Sequence, residues 1–211
     1  MSEIKVISFD AEGTLVTHDF SQVIWHEAIP ARYAQKKGID PAQAKRIVVE
    51  EYNKIGDKRL EWYDIEYWFR YLDLGASRPV IQSCQDKISC YPEVTGVLSS
   101  LLGKYKLIVA SGTPLELLDY LLRDLRLYFA HIFSSISQYR QLKSPSFYLE
   151  ICRAMNVEPS QVIHVGDSWQ FDFLNSSQVG IQAFYLDRSG ENHQESLSDL
   201  TQLKHLLLSA E

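Results

Sequence analysis

The stretch Ile7-Ser8-Phe9-Asp10-Ala11-Glu12-Gly13-Thr14-Leu15-Val16 decides the fold of this 211-residue chain. It is an apolar run, preceded by Ile4 and Val6, that delivers two carboxylates two residues apart and then breaks at a glycine. A buried strand that ends at Asp10 places this carboxylate at the carboxyl edge of a parallel sheet, where open α/β folds bind their ligands. We therefore interpret Asp10 as a candidate nucleophile, although an acid in this position can also be a helix cap or a turn former.

Three later stretches also bring polar side chains to the ends of predicted elements. They are the apolar strand 106 to 110 followed by Ser111 and Gly112, the residue Lys143 before a predicted helix, and the apolar strand 162 to 165 followed by Asp167 and Asp172. Taken singly, Lys143 reads as a surface lysine, Ser111 as a helix cap and Asp172 as an acid on a helix surface. Their joint occurrence, in this order and on these elements, favours a single site.

In this order the four stretches resemble the four motifs of the haloacid dehalogenase superfamily, whose members are mostly phosphatases that act through an aspartyl-phosphate. The resemblance covers residues 7 to 186, apart from the segment 17 to 91, where the superfamily inserts a variable cap. It implies that Asp10 is the nucleophile and Glu12 the general acid and base. It also implies that Ser111, Gly112 and Lys143 bind the phosphoryl group of the substrate.

A cation is required in such a site because a carboxylate that attacks a phosphate monoester brings negative charges together. Each unit pair at about 4 Å repels by roughly 4 kcal/mol at an effective dielectric constant near 20. Carboxylates gathered at one sheet edge suit Mg²⁺, which prefers oxygen ligands. The resemblance implies that Asp10, Asp167 and the backbone carbonyl of Glu12 hold the ion, and that Asp172 binds it through water or orients the site.

Glu12 departs from the pattern of the superfamily, whose phosphatases usually carry Asp at this position. The carboxylic acid is retained but its arm is one methylene longer, so we expect slow turnover or a pocket reshaped to suit it. Thr14 is expected to help fix the loop or the orientation of this acid. A second departure is Ser144, which separates Lys143 from Pro145 where the superfamily has a Lys-Pro pair.

Two other functions therefore stay open beside the Mg²⁺-dependent phosphatase. One is a 2-haloacid dehalogenase, which in the resembled superfamily works without a metal and carries a non-acidic residue at the position of Glu12. Glu12, Asp167 and Asp172 argue against it, because these acids imply a bound cation. The other is a catalytically weak protein that binds Mg²⁺ and phosphate, and only Glu12 favours it. The substrate expected of the phosphatase is a small phosphorylated metabolite whose identity the sequence does not give.

The order of elements predicts a Rossmann-like, three-layer α/β core with a mostly parallel sheet and an inserted helical-bundle cap. Strands and helices alternate from Pro92 onward, as in parallel sheets with right-handed crossovers. One helix is predicted from about Pro145 to Met155, and another from the strand 162 to 165 up to Gln178. We assign residues 1–16 and 92–211 to the core, and 17–91 to a cap that lies over the nucleophile, excludes water and selects the substrate.

Four amphipathic helices are predicted within the segment 17 to 91. Pro30 should kink or divide the first, and Asp40 should cap the second. The third carries an aromatic stripe with Trp62 and Phe69 in the core, and the fourth runs from Pro79 to about Ser89.

Bulk composition limits the partners. The net charge is −6 and no block of basic residues occurs, so we expect no nucleic-acid partner. The three cysteines match neither a zinc spacing nor a CxxC pair, and no apolar run approaches a membrane span or a signal peptide. We expect a cytoplasmic protein with buried thiols and no membrane partner, either a monomer or a homodimer.

Overall fold

The computed structural model describes residues 3–190 and 196–208, so Met1, Ser2 and 209–211 of the predicted core domain lie outside the described residues. The chain forms two compact units. One consists of Met1–Thr17 together with Cys90–Glu211, and we call it the core unit. The other, His18–Ser89, is the inserted unit. None of the helices in the described ranges is long and apolar enough to span a membrane.

A five-stranded parallel sheet forms the centre of the core unit, as predicted. Its strands, in chain order, are β1 (Val6–Phe9), β2 (Lys106–Ser111), β3 (His131–Ser134), β4 (Val162–Gly166) and β5 (Gln182–Tyr185). Their order in the sheet is β3-β2-β1-β4-β5, with Phe9 paired to Val109 on one side and to Val165 on the other. The strand order reverses between β1 and β4, which is where open sheets of this kind bind ligands.

The inserted unit is helical throughout. Its α-helices are α1 (Asp19–Val23), α2 (Ile29–Lys37), α3 (Pro41–Ile55), α4 (Ile65–Tyr71) and α5 (Arg78–Ser83). A π-helical turn, Ile24–Ala28, joins α1 to α2, so that Pro30 falls in the first turn of α2, where its missing N–H costs nothing. The carboxylate of Asp40 accepts the N–H groups of Ala42 and Gln43 and caps α3, as predicted.

The interior of the inserted unit differs from the sequence prediction in two places. Trp68 is fully buried and packs edge-on against Tyr52, whereas Trp62 lies in a 3₁₀ turn and is only partly buried. The predicted helix from Pro79 to Ser89 instead ends at Ser83 and continues as a 3₁₀ turn, Gln85–Lys87. The apolar spacing of this segment is compatible with either kind of turn, so periodicity did not reveal the break.

The helices of the core unit cover the sheet. They are α6 (Val94–Leu101), α7 (Leu115–Leu121), α8 (Pro145–Met155), α9 (Asn175–Ser177) and α10 (Leu200–Leu208). Helix α8 has the predicted bounds and contributes the buried side chains Phe147, Tyr148 and Ile151 to a cluster that also contains Ile108 of β2. The predicted helix up to Gln178 begins instead as a π-helical segment, Trp169–Leu174.

Arg188, which follows β5, ties together the two segments of the core unit that flank the insertion. Its guanidinium donates to the carbonyl oxygens of Gly13 at 3.0 Å and Thr14 at 2.8 Å, and to the carboxylate of Glu93 at 2.7 Å. It also lies 3.6 Å from the centre of the Tyr91 ring. The loop after β1 is thus held by the side chain of Arg188 as well as by its own turn.

Candidate active site

Asp10 follows β1 and lies at the carboxyl edge of the sheet. Its backbone N–H donates to the carbonyl oxygen of Val165 at 2.9 Å, which extends the pairing of β1 with β4 by one residue. The residue is 8% exposed, and its Oδ1 lies 3.0 Å from Nζ of Lys143. The nucleophile predicted from the sequence is therefore a buried carboxylate with a cationic neighbour.

Lys143 is buried, in contrast to an ordinary surface lysine. It precedes α8, and its carbonyl oxygen accepts the side-chain N–H of Asn175 at 2.7 Å. Its Nζ contacts Asp10 and donates a hydrogen bond to Oδ1 of Asp172. Burial lowers the pKa of the Lys143 amine, but the two carboxylates outweigh this effect and raise it. Lys143 therefore stays protonated and can hold negative charge in the site.

Asp172 is fully buried, and the protein surrounds both of its carboxylate oxygens with donors. Besides Lys143, Nε2 of His164 lies 2.9 Å from Oδ1, and the backbone N–H of Ser168 donates to Oδ2 at 3.0 Å. Burial disfavours the charged form, but Lys143 and His164 outweigh it and hold the pKa of Asp172 well below its usual range. Asp172 is thus a fixed anion that orients Lys143.

His164 lies within β4 and connects Asp172 to β1. Burial lowers its pKa, so the ring is neutral at pH 7. The ionised oxygen of Asp172 only accepts hydrogen bonds, and therefore Nε2 carries the proton. Nδ1, 2.9 Å from the hydroxyl of Ser8, must then accept the proton of that hydroxyl. The hydroxyl of Tyr148 completes the group, at 3.1 Å from Nε2 and 2.9 Å from the carbonyl oxygen of Phe171.

The glycine before Asp167 is explained by the position of Asp172. A Cβ on Gly166 would overlap the carboxyl carbon of Asp172, so only glycine leaves room for this side chain against the end of β4. The π-helical segment Trp169–Leu174 begins directly after the Ser168 cap and carries Asp172 in its middle. A wide π turn is a common local device at functional sites.

The loop after β2 brings a second group of hydroxyls to the same edge. Ser111 is buried at the end of β2, and Gly112 lies against the alkyl chain of Lys143, whose Cδ is 3.5 Å from the position of a Cβ. The hydroxyl of Thr113 donates to Oε2 of Glu12 at 2.9 Å. In contrast, Oγ1 of Thr14 is buried and bonds no described residue, so the hydroxyl that orients Glu12 is Thr113 rather than Thr14.

Asp10, Asp167 and Asp172 each offer a carboxylate oxygen, and these three atoms lie within 4.8 Å of one another. Oxygen donors at this spacing fit a hard divalent cation. The oxygens of Asp172 already accept hydrogen bonds from buried donors, so the carboxylates of Asp10 and Asp167 are better placed for direct contact. Burial raises the pKa of Asp10 to about 7, with Lys143 opposing the shift, and a bound cation would favour its ionised form.

The structure thus gathers Asp10, Lys143, Asp167 and Asp172 into one cluster, and it places Gly112, the residue after the buried Ser111, beside Lys143. Sequence reasoning missed four polar residues that support this cluster: Ser8, Thr113, Tyr148 and His164. A signal was available for Ser8 and His164, since each is a lone polar residue within an otherwise apolar strand. No local pattern identifies Thr113 or Tyr148, whose partners are distant in sequence.

Comparison with known proteins agrees with this geometry. Residues 4–174 match the model of a family described as haloacid dehalogenase-like hydrolase. A glyceraldehyde 3-phosphate phosphatase of Pyrococcus furiosus is 27% identical over 197 residues, which is 88% of this chain and 81% of that protein. Its similarity extends across both units of the chain.

Solved structures share the fold. A HAD phosphatase from Thermococcus onnurineus superposes with a TM-score of 0.84 at 22% identity, covering 97% of this chain and 98% of that chain. A 2-haloacid dehalogenase from Pseudomonas syringae gives a TM-score of 0.74 at 20% identity, with 99% and 100% covered. One fold thus serves both chemistries, so the distinction between them rests on the residues of the site. From the family match and the buried cluster of Asp10, Lys143 and Asp172, we conclude that this chain belongs to the haloacid dehalogenase-like hydrolases.

Proposed function

We propose that this protein is a Mg²⁺-dependent phosphatase that hydrolyses a small phosphate monoester through an aspartyl-phosphate at Asp10. The observation that carries this proposal is the buried ammonium of Lys143, held between Asp10 and Asp172 inside a group of carboxylates. A phosphoryl group approaching Asp10 would meet a positive charge there, and charge stabilisation with positioning is most of what phosphoryl transfer requires.

Each residue then has a definite task. Asp10 attacks phosphorus, Ser111 and the N–H of Gly112 donate to the phosphoryl oxygens together with Lys143, and Glu12 protonates the leaving oxygen and later takes a proton from water. Asp167, Asp10 and the carbonyl of Glu12 would hold Mg²⁺, with Asp172 acting through Lys143. When bound, the ion neutralises phosphoryl charge and favours the ionised form of Asp10.

The substrate class is a small phosphorylated metabolite. The Pyrococcus furiosus relative, a glyceraldehyde 3-phosphate phosphatase, supports this substrate class. Three-carbon phosphates are therefore the first compounds to test. We also propose that the segment 17–91 is the cap domain that selects the organic part of the substrate, on the ground that it is inserted between β1 and β2.

The test is hydrolysis of p-nitrophenyl phosphate by the wild type and by Glu12→Asp, each with Mg²⁺ and with a chelator. Turnover by the wild type that requires Mg²⁺ is the expected result. If Glu12→Asp turned over the ester and the wild type did not, the result would favour a wild-type protein that binds phosphate without hydrolysing the ester. Halide release from 2-chloropropionate without metal, together with no hydrolysis of p-nitrophenyl phosphate, would establish the dehalogenase instead.

A further inference from the structure

We propose that Thr113 is a positioning residue for Glu12, holding the carboxyl group of the general acid through its hydroxyl. This inference rests on the proposed function, because it assigns Thr113 a task in the same reaction. Its basis is the hydrogen bond from Oγ1 of Thr113 to Oε2 of Glu12, 2.9 Å long, between residues 101 positions apart in sequence.

Thr113 is well suited to fix another group because its own backbone is held on both sides. Its N–H donates to Oγ of Ser111 at 3.2 Å, and its carbonyl oxygen accepts the hydroxyl of Ser134 at 2.8 Å. Ser111 and Ser134 are buried partners in the pairing of β2 with β3. The hydroxyl of Thr113 is therefore held in a fixed position at the end of the sheet, which also positions Asp10.

A glutamate needs such support more than an aspartate does. Its side chain has three torsions, and an unrestrained carboxyl would populate several rotamers, of which few lie within hydrogen-bond reach of a leaving oxygen. A bond to Thr113 restricts the carboxyl at its far end, beyond the extra methylene. Preorganisation of this kind lowers the entropy lost on reaching the transition state.

The bond also assigns different tasks to the two oxygens of Glu12. Oε2 accepts the proton of Thr113, so the transferable proton belongs on Oε1. As the bond from Asp10 to phosphorus forms and the bond to the leaving oxygen breaks, Oε1 gives its proton to that oxygen. The resulting carboxylate then removes a proton from a water molecule, which restores the acid. As the oxygen of this water bonds to phosphorus, the bond from phosphorus to Asp10 breaks, which releases inorganic phosphate and the Asp10 carboxylate. Thr113 keeps its own proton throughout.

Thr113→Val tests the inference, since it removes the hydroxyl with little change of shape. With p-nitrophenyl phosphate and Mg²⁺, we expect kcat to fall about tenfold, as for the loss of one hydrogen bond, and KM to stay within about twofold. Thr113→Ser keeps the donor and should retain most of kcat. Thr95→Val, an exposed threonine on α6, is the matched control and should match the wild type.

A second background separates positioning from a general structural effect. In Glu12→Asp the carboxyl is one methylene short of Thr113, so adding Thr113→Val should change kcat by less than about twofold. Equal losses in both backgrounds would overturn the inference, as would an unchanged kcat in Thr113→Val or no rescue by serine.

The wild type, Thr113→Val, Glu12→Asp and the double variant are also compared by urea unfolding without metal. This experiment detects the hydrogen bond through stability and does not depend on turnover. Thr113→Val should lower the midpoint more in the Glu12 background than in Glu12→Asp, and equal shifts would contradict the contact. A wild type without phosphatase activity would refute the proposed function, whereas the unfolding comparison would still decide whether Thr113 holds Glu12.

Discussion

At the scale of single residues, the burial of the ionised Asp10 carboxylate is electrostatically unfavourable. Burial disfavours its charge and raises its pKa to about 7, even though Lys143 lies 3.0 Å away. Lys143 is itself shared with Asp172, whose own pKa is held low by Lys143 and His164 against the effect of burial. One buried lysine therefore stabilises the charges of two acids, and it stabilises the ionised form of Asp10 less than that of Asp172.

This imbalance predicts that Asp10→Asn stabilises the metal-free protein at pH 8. A carboxyl whose folded pKa lies above its unfolded value of 3.8 contributes stability at low pH that is lost as the pH rises through about 7. Asparagine does not titrate, so the gain over wild type should be about 4 kcal/mol at pH 8, the free energy that corresponds to raising this pKa from 3.8 to about 7, and it should shrink toward pH 5. Urea unfolding with a chelator at several pH values measures it. A gain that grows as the pH falls would have the wrong sign.

The residues of the site were predictable from the sequence to the extent that they end predicted strands. Asp10, Ser111 and Asp167 follow apolar runs, and the carboxyl ends of parallel strands meet at one edge. The contacts that orient them were not predictable. The bond of Thr113 to Glu12 and that of His164 to Asp172 depend on side-chain distances that strand periodicity does not encode.

At the scale of elements, the loop after β1 is held by Arg188 as well as by its own turn. Gly13 has a φ of 71°, which glycine adopts without strain, and its N–H donates to the carbonyl oxygen of Val16 at 2.8 Å. The planar guanidinium of Arg188 then reaches two successive carbonyl oxygens and the carboxylate of Glu93 at once. A lysine in this position has no such fork.

Arg188→Lys should therefore destabilise the protein although it preserves the charge. We expect a loss of roughly 1–3 kcal/mol in the free energy of unfolding, because two carbonyl oxygens lose their donor. Arg153→Lys is the control: its pair with Glu150 is exposed and should contribute less than about 0.5 kcal/mol. Urea unfolding compares the two variants, and equal effects would show that the fork of Arg188 does not hold the loop.

Elements with strong local signals were predicted well, and those set by tertiary packing were not. Helix α8 begins with Ser144 and Pro145, a cap and a first-turn proline, and its bounds were as predicted. The π-helical segments Ile24–Ala28 and Trp169–Leu174 carry no distinct periodicity, so neither could be predicted from the sequence. The second of these contains Asp172, which shows that a functional position can depend on a feature invisible to pattern analysis.

At the scale of the whole molecule, the fold class followed from the alternation of strands and helices after Pro92. The net charge of the chain is −6, whereas the proposed substrate is an anion, so cations within the site have to outweigh the overall charge of the protein. Lys143 supplies one positive charge among three gathered acids. This deficit is the reason for expecting a divalent ion in the working protein.

Mg²⁺ should accordingly raise the melting temperature of the wild type. An ion that binds only the folded state stabilises it by about 2.7 kcal/mol at a hundredfold excess over its Kd. Asp167→Asn should remove most of this shift, while Asp119→Asn, an exposed acid on α7, should keep it. Thermal unfolding with Mg²⁺ and with a chelator checks this. A full shift in Asp167→Asn would exclude Asp167 as a ligand.

The central claim is that Asp10 is the nucleophile, and the most direct measurement is Mg²⁺-dependent release of p-nitrophenol from p-nitrophenyl phosphate by Asp10→Asn beside the wild type. The account predicts a fall in kcat on the order of a thousandfold or more, because asparagine cannot form the acyl phosphate. Asp119→Asn should retain wild-type kcat. Substantial turnover by a folded Asp10→Asn protein, within tenfold of wild type, would contradict the account.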